Sequence, residues 1–315
     1  MDLSIIIVNW NTKQLLRECL YSIKQNSNNQ EIRLIVVDNA SNDSSREMVQ
    51  TLFPDVHLIN SKANIGFARA NNLGLSYADT SFILFLNPDT LVMPDTLTNM
   101  IEFMKNHPSV GVTSCKRKNV KGGIQTIGLQ WFPSPFTELL SIFFLSEETL
   151  QRFRGYLPIK DPNKSDYVSV LYGTCLMMRK EVLEKVGHFD ERFFMYSEDV
   201  DLSWRINGHG WKLYYLSEAE IIHHGGGASI KAGNHFSTIM KCESRAKLMH
   251  KYYGNRGRLL YELIIFMGSN FRLIILVILK LISPIYLVDR DNRYRESISK
   301  YIAMLKWSLH IQRPK

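Results

Sequence analysis

Apolar residues follow two alternating rhythms over the first 115 positions. Short aliphatic runs at Ser4–Val8, Ile32–Val37, Val56–Ile59, Phe82–Leu86 and Val110–Ser114 have the length and β-branched content of buried strands. Between them, apolar positions three and four apart predict helices over Lys13–Gln25, Ser44–Phe53, Gly66–Ala78 and Pro94–Asn106. That alternation predicts an α/β fold, a mostly parallel sheet wrapped by helices. Ligands of such sheets sit beyond the carboxyl ends of the strands. Three polar clusters fall there: Asn9-Trp10-Asn11, Asp38-Asn39 and Asn87-Pro88-Asp89.

The rhythm breaks over residues 116–165, where a Lys/Gly-rich turn, the segment from Trp131 to Pro135 and an apolar run from Leu139 to Leu145 predict loops and one short helix. That helix reads either as a cap on the core or as a flap facing an acceptor or a membrane. Periodicity resumes with a strand at Val168–Tyr172, helices at Lys180–Val186 and Glu198–Asn207, and strands at Lys212–Tyr215 and Glu220–Ile222. The expected division is a domain over residues 1–240, with halves 1–115 and 116–240, followed by a helical region over 241–315.

From Leu259 to Val288 the chain is strongly apolar, but Glu262, Arg272 and Lys280 interrupt it, and a spanning helix needs ~20 predominantly apolar residues. On a helical projection Arg258, Glu262, Ser269, Arg272, Lys280 and Ser283 fall within ~40° of one line. A polar stripe on an otherwise apolar helix predicts an in-plane membrane helix with its basic residues toward anionic headgroups. The other readings are a helix packed on the catalytic domain or on a second copy of the chain, and a tilted or re-entrant span. Pro284 is expected to end or kink the helix, and Tyr294–Lys315 predicts a second, basic amphipathic one.

Composition narrows the class. With 315 residues, 45% hydrophobic and 22% charged, the chain is neither disordered nor a polytopic membrane protein. Its four cysteines are far apart, without metal-finger spacing, and read as buried thiols of a reducing compartment. The first residues lack a basic stretch before their apolar run, so no cleaved leader is expected. Net charge is +8, and from Lys241 onward fifteen basic residues face five acidic ones. Because those charges sit among aliphatic residues and not on an aromatic stacking platform, a membrane surface explains them better than nucleic acid.

Several acids occupy positions that call for chemistry. Asp38 closes a buried strand and opens a run of turn and cap residues; it reads as a capping aspartate, or as an acceptor for a pyrimidine N–H or a ribose hydroxyl. No G-x-G-x-x-G follows the first strand and no G-x-x-x-x-G-K-[ST] occurs anywhere, which removes the main support for hydride transfer and for a P-loop. Asp89, just past a strand, is an ordinary turn residue or a ligand for a hard divalent cation bridging two phosphates. His223 ends another strand, and strand alternation lets only one of His223 and His224 reach a common site. In the segment from Phe189 to Arg205, Asp201 and Arg205 have the spacing of a surface ion pair. Asp199 projects toward Leu202 and Ile206, inward, where a carboxylate needs a partner or a role in proton transfer.

With these residues in hand, the chain resembles the family 2 glycosyltransferases of the GT-A fold, and within them the bacterial rhamnosyltransferase-like enzymes. The matching segments are SIIIVNWN, LIVVDNASNDSS, NIGFARANNLG, LFLNPDT, the stretch from Tyr172 to Tyr215, and the following IIHH. The resemblance implies nucleotide-sugar contacts at Val8, Trp10, Asp38, Arg69, Asn71, Asn87, Asp89 and Gly173. It implies a Mg²⁺ or Mn²⁺ ion at Asp89 and His223, and Asp199 as the base of an inverting displacement. Asn87 stands where the family's metal motif carries its first acid, which shifts the ion onto Asp89. The implied donor is dTDP-rhamnose or a UDP-sugar and the implied acceptor a lipid-linked saccharide, with the enzyme peripheral or monotopic on the cytoplasmic face of the inner membrane. A homo-oligomer joined through the C-terminal helices is a further expectation. The competing class is a non-catalytic subunit that binds sugar nucleotide or polysaccharide.

Overall fold

The computed structural model describes residues 2–27, 31–125, 128–129, 131–142, 161–225, 227, 235–282 and 291–313. Its first half follows the alternation above: β1 (Leu3–Asn9), α1 (Lys13–Gln25), β2 (Ile32–Asp38), α2 (Ser45–Leu52), β3 (His57–Asn60), α3 (Phe67–Leu75), β4 (Phe82–Leu86), β5 (Thr90–Val92), α4 (Thr96–Asn106) and β6 (Val110–Lys118). The chain continues with β7 (Gly128–Leu129), α5 (Pro135–Ile142), β8 (Asp166–Val168), β9 (Val170–Leu171), β10 (Cys175–Arg179), α6 (Lys180–Val186), α7 (Glu198–Gly208) and β11 (Lys212–His223). The last helical elements are α8 (Phe236–Ile282), which is broken by a kink at Gly254 where φ is +66°, and α9 (Asp291–Ser308).

Among the described residues one sheet runs β3-β2-β1-β4-β10-β6-β11-β5, with β8 added to β11, while β7 and β9 form a separate ladder. β3, β2, β1 and β4 are parallel, and β10 enters antiparallel between β4 and β6. The sheet is therefore mixed at its centre. β10 escaped the sequence reading because CLMMR is short and lacks β-branched residues; its strand state is imposed by the two neighbours that flank it.

The aliphatic runs alternate between two cores. Ile5, Ile7, Leu84 and Leu86 face α1, α2 and α4, whereas Ile6, Ile35, Ile83 and Phe85 face α3, α6 and α7. Each such fully buried side chain contributes about 1.5–3 kcal/mol. At the start of α3, Gly66 has φ +86°, and a Cβ there would come within 2.6 Å of the Phe194 carbonyl, which accepts the Phe67 N–H. This close approach joins the strand–helix half of the sheet to the loop that leads into α7.

The described residues divide into two compact units, one drawn from Met1–Phe132 and Pro158–Lys231, the other from Pro133–Leu157 and Ala232–Lys315. The short helix α5 thus belongs with the C-terminal helices and not with the residues that flank it in sequence. Within that second unit Glu138 pairs with Arg245 at 3.3 Å, and the Tyr253 hydroxyl donates to the Pro133 carbonyl at 3.3 Å.

The same unit turns the polar stripe of α8 in an unexpected direction. Glu262 is buried and accepts from Arg258, His310 and Arg313 at 3.0, 3.2 and 2.6 Å; Ser269 is buried, Arg272 donates to the Tyr301 hydroxyl, and Lys280 lies over the Tyr294 ring. The stripe is the seam with α9, not a face toward headgroups; Ser283 and Pro284 lie outside the described residues. Leu259, Leu263, Met267, Ile274, Val277 and Leu281 point outward and are at least half exposed.

Candidate active site

The carboxyl ends of β1 and β2 are tied by side chains. Asn9 Nδ2 donates to Asp38 Oδ1 at 3.1 Å and to Ser41 Oγ at 3.0 Å, and Thr12 Oγ1 donates to Asn9 Oδ1. Asp38 is fully buried, and its Oδ2 also accepts from the Ser41 N–H at 3.0 Å and Arg46 Nε at 2.7 Å. The carboxylate thereby fixes the loop on which Trp10 stands, half-buried at the end of β1. Val8 packs with Val37 and Ala70 beneath this loop.

Asp89 and His223 are brought together by strand register. β5 pairs antiparallel with β11 so that Thr90 lies opposite His223. His223 Nε2 stands 3.3 Å from Asp89 Oδ1, the His224 N–H donates to the Asp89 carbonyl at 2.9 Å, and the Gly227 N–H approaches Oδ2 at 3.5 Å. Burial pushes the Asp89 carboxyl upward, but the hydrogen bond and charge of His223 and the Gly227 N–H outweigh it and hold the group below its ordinary range.

A residue the sequence reading did not single out sets the state of that imidazole. Gln125 Nε2 donates to the His223 carbonyl at 3.3 Å and Gln125 Oε1 lies 2.8 Å from Nδ1. Because a carbonyl only accepts, the amide orientation is fixed and Nδ1 carries the proton. In neutral His223 the Nε2 lone pair therefore faces a carboxylate, an arrangement that calls for a proton or a cation between them.

The donors present suit a divalent cation. A carboxylate, an imidazole with its coordinating nitrogen turned toward it, and Asn87 Oδ1, buried without a hydrogen-bond partner, are ligands of the hard-to-borderline type that Mg²⁺ and Mn²⁺ accept. Among the described residues no third His, Cys, Asp or Glu joins the pair.

The proposed base approaches from α7. Tyr196 and Ser197 both take left-handed backbone conformations, φ +68° and +66°, a costly turn for two non-glycine residues that starts the helix at Glu198. Asp199 Oδ2 accepts the Gly173 N–H and its Oδ1 the Val200 N–H, both at 2.8 Å. Asn87 N donates to the Thr174 carbonyl at 3.0 Å, so the turn carrying Asp89 and the turn holding Asp199 are adjacent.

The two neighbouring acids differ from expectation. Asp201 is wholly buried and pairs with Arg205 at 2.9 Å, while Arg205 also donates to the carbonyls of Val186, Gly187 and His188. This is an interior tie between α7 and the end of α6, not a surface pair, and Asp199 is the half-exposed member. The projection alone misassigned them because α7 is buried on nearly every side. Glu198 is buried with Oε2 unpartnered, and burial followed by the Asp199 charge raises its carboxyl well above the ordinary range.

Arg69 and Asn71 lie on α3. Asn71 is buried and bonds the Phe67 carbonyl at 3.0 Å; Arg69 pairs with Glu191 at 3.0 Å and, with Asn72, Lys180 and His188, lines an open groove of about 640 Å³ between α3 and α6. Asn72 bonds both the N–H and the carbonyl of Phe189, so the Gly66–Leu75 segment serves as a brace for the Phe189–Ser197 loop.

A parallel β3-β2-β1-β4 half, continued by an antiparallel strand between β4 and β6 and covered by helices, is the GT-A fold. Glycosyl transferase family 2 matches residues 4–187, and the chain belongs to that family. It is 27% identical over 220 residues to the N-acetylglucosaminyl-diphospho-decaprenol L-rhamnosyltransferase of Mycobacterium tuberculosis, a match covering 61% of this chain and 66% of that protein, just under two thirds of its length. It is 26% identical over 231 residues to the rhamnosyltransferase WbbL of Escherichia coli K12, covering 70% of this chain and 82% of that one. Among solved structures, the mannosyltransferase PcManGT of Pyrobaculum calidifontis, in complex with GDP-Man and Mn²⁺, superposes with a TM-score of 0.61 at 16% identity, over 98% of this chain and 86% of that one.

Proposed function

We propose that this protein is an inverting glycosyltransferase that moves a sugar, rhamnose from dTDP-rhamnose in the first instance and a UDP-sugar otherwise, onto a lipid-linked saccharide during surface-polysaccharide assembly. The observation that carries this reading is the meeting, within one unit, of the Asp89–His223 pair and the Gly173-anchored Asp199 around the Asn87–Thr174 junction. The similarity to two rhamnosyltransferases supports the donor, and the diphospho-decaprenol in the name of one of them supports a lipid-linked acceptor.

Asp199, held by two backbone N–H groups, accepts the proton of an acceptor hydroxyl as its oxygen attacks the anomeric carbon. Asp89 and His223 would hold a Mg²⁺ or Mn²⁺ ion, with Gln125 fixing the imidazole. When bound, the ion neutralises charge on the nucleoside diphosphate. Asp38 orders the loop beneath Trp10, and Val8 supports it, where the nucleobase is expected; Asn71 stiffens α3 through the Phe67 carbonyl, whereas Arg69 is turned to Glu191 along the groove between α3 and α6.

The outward apolar face of α8 gives the tail a different membrane role from an amphipathic helix floating on headgroups. With the polar stripe satisfied by α9, the pair presents aliphatic side chains on its outside, and the basic excess of the region favours an anionic surface. This supports a monotopic enzyme on the cytoplasmic face. A donor screen over dTDP-, UDP- and GDP-sugars, with and without Mn²⁺, tests the catalytic reading; failure to turn over any of them with saccharide–lipid acceptors overturns it.

A further inference from the structure

Arg117, near the end of β6, belongs to none of the motifs that mark the site. The residue is half-buried with its Nε enclosed, Nη1 donates to Thr174 Oγ1 at 2.5 Å, and the guanidinium lies over the Tyr172 ring at 5.9 Å. Burial depresses its pKa, and the acidic groups of Tyr172, Cys115, Asp199 and Asp89 oppose that. Through Thr174 the side chain stands at the junction of two turns: the Thr174 carbonyl holds Asn87, two residues before Asp89, and the neighbouring Gly173 N–H holds Asp199. A guanidinium remains charged in any protein interior and can donate to an anion from this position.

The place itself identifies the anion. In the displacement above, a bond forms from the acceptor oxygen to the anomeric carbon, and the bond from that carbon to the β-phosphate oxygen breaks. The electron pair leaves with the nucleoside diphosphate, and the acceptor proton goes to Asp199. The breaking bond lies between the base and the cation pair, beside the junction that Arg117 reaches through Thr174. We propose that Arg117 binds the donor's β-phosphate, its planar fork donating to two phosphate oxygens and meeting the charge that develops on the leaving group. Arg117 itself neither gains nor loses a proton. Thr174 orients the fork through its hydroxyl and, through its carbonyl, holds Asn87 in the turn that carries Asp89.

This assignment rests on the glycosyltransferase reading, and one experiment separates the two. Wild type, Arg117→Met and Arg117→Lys are titrated calorimetrically, with Mn²⁺ present, against UDP, dTDP and GDP and against the matching monophosphates. For the diphosphate wild type prefers, Arg117→Met is expected to weaken binding about 10–100-fold, as for loss of a charge-assisted hydrogen bond, while its monophosphate binds as to wild type. Arg117→Lys keeps the charge without the fork and is expected to show a smaller loss, again confined to the diphosphate. Equal weakening of both nucleotides in Arg117→Lys, or no weakening in either variant, overturns the assignment and leaves Arg117 a packing residue. The monophosphate titration and a thermal melt report folding, and if Arg117→Met does not fold, Arg117→Lys decides the question. Failure of wild type to bind any diphosphate overturns the glycosyltransferase reading and the assignment together.

Discussion

Replacing Asp199 by Asn removes the proton acceptor and also disturbs a specific pair of hydrogen bonds. The carboxylate accepts one backbone N–H on each oxygen, from Gly173 and Val200, both at 2.8 Å. An asparagine has one acceptor oxygen, so its amide NH₂ must face the other N–H, donor against donor. One part-buried hydrogen bond lost in this way costs about 0.5–1.5 kcal/mol. For a domain of this size that lowers the melting temperature by roughly 2–4 °C per kcal/mol. Loss of general-base catalysis lowers turnover about 10²–10⁴-fold, while nucleotide affinity, set by other side chains, stays at the wild-type level. Turnover is read by single-turnover transfer to a saccharide–lipid acceptor, affinity by calorimetry, and stability by thermal melting. Near-normal turnover removes Asp199 from the proposed role, and an unchanged melting temperature refutes the hydrogen-bond reasoning independently.

Glu198, whose folded-state pKa is raised, contributes stability at pH values below its unfolded pKa, and that contribution is lost as pH rises toward the folded value. Glu198→Gln is therefore expected to melt higher than wild type at neutral pH and to converge with it below about pH 4, near the ordinary glutamate range; parallel melting curves at all pH values contradict the burial of a bare carboxyl. Gln125→Ala frees the His223 ring to adopt the other tautomer and should weaken Mn²⁺ binding about 10–100-fold, measured by metal titration. Leu263→Glu with Ile274→Glu, both on the outward face of α8, should release the protein from anionic vesicles in a flotation assay without altering its melting temperature; unchanged flotation removes that face from membrane contact. Glu262→Ala breaks the junction with Arg258, His310 and Arg313 and should increase amide exchange in α9, whereas unaltered exchange would show that the packing of Trp307 and Ala303 suffices.

The parallel half was legible because its strands are continuous aliphatic runs, and the cap and turn residues marked where each ended. The centre was harder: CLMMR carries no alternation, and TLV at β5 is too short for a period, though its pairing with β11 is what places Asp89 beside His223. Arg117 and Gln125 were passed over since both belong to a stretch that reads as a polar loop. Only the extension of β6 to Lys118 turns Arg117 inward. The stripe on α8 was identified correctly as a feature, but a helical projection reports which residues share a face, not what covers it.

The ladder between β5 and β11 has a further bearing on how such a chain can vary. Because Asp89 and His223 are registered through backbone pairing of Thr90 with His223, their spacing is independent of the length of the segment that joins β7 to β8. Sequence can therefore be lengthened, shortened or exchanged there while the carboxylate–imidazole geometry is inherited intact. The register of the pair and the length of that segment are in this way separable properties of one chain.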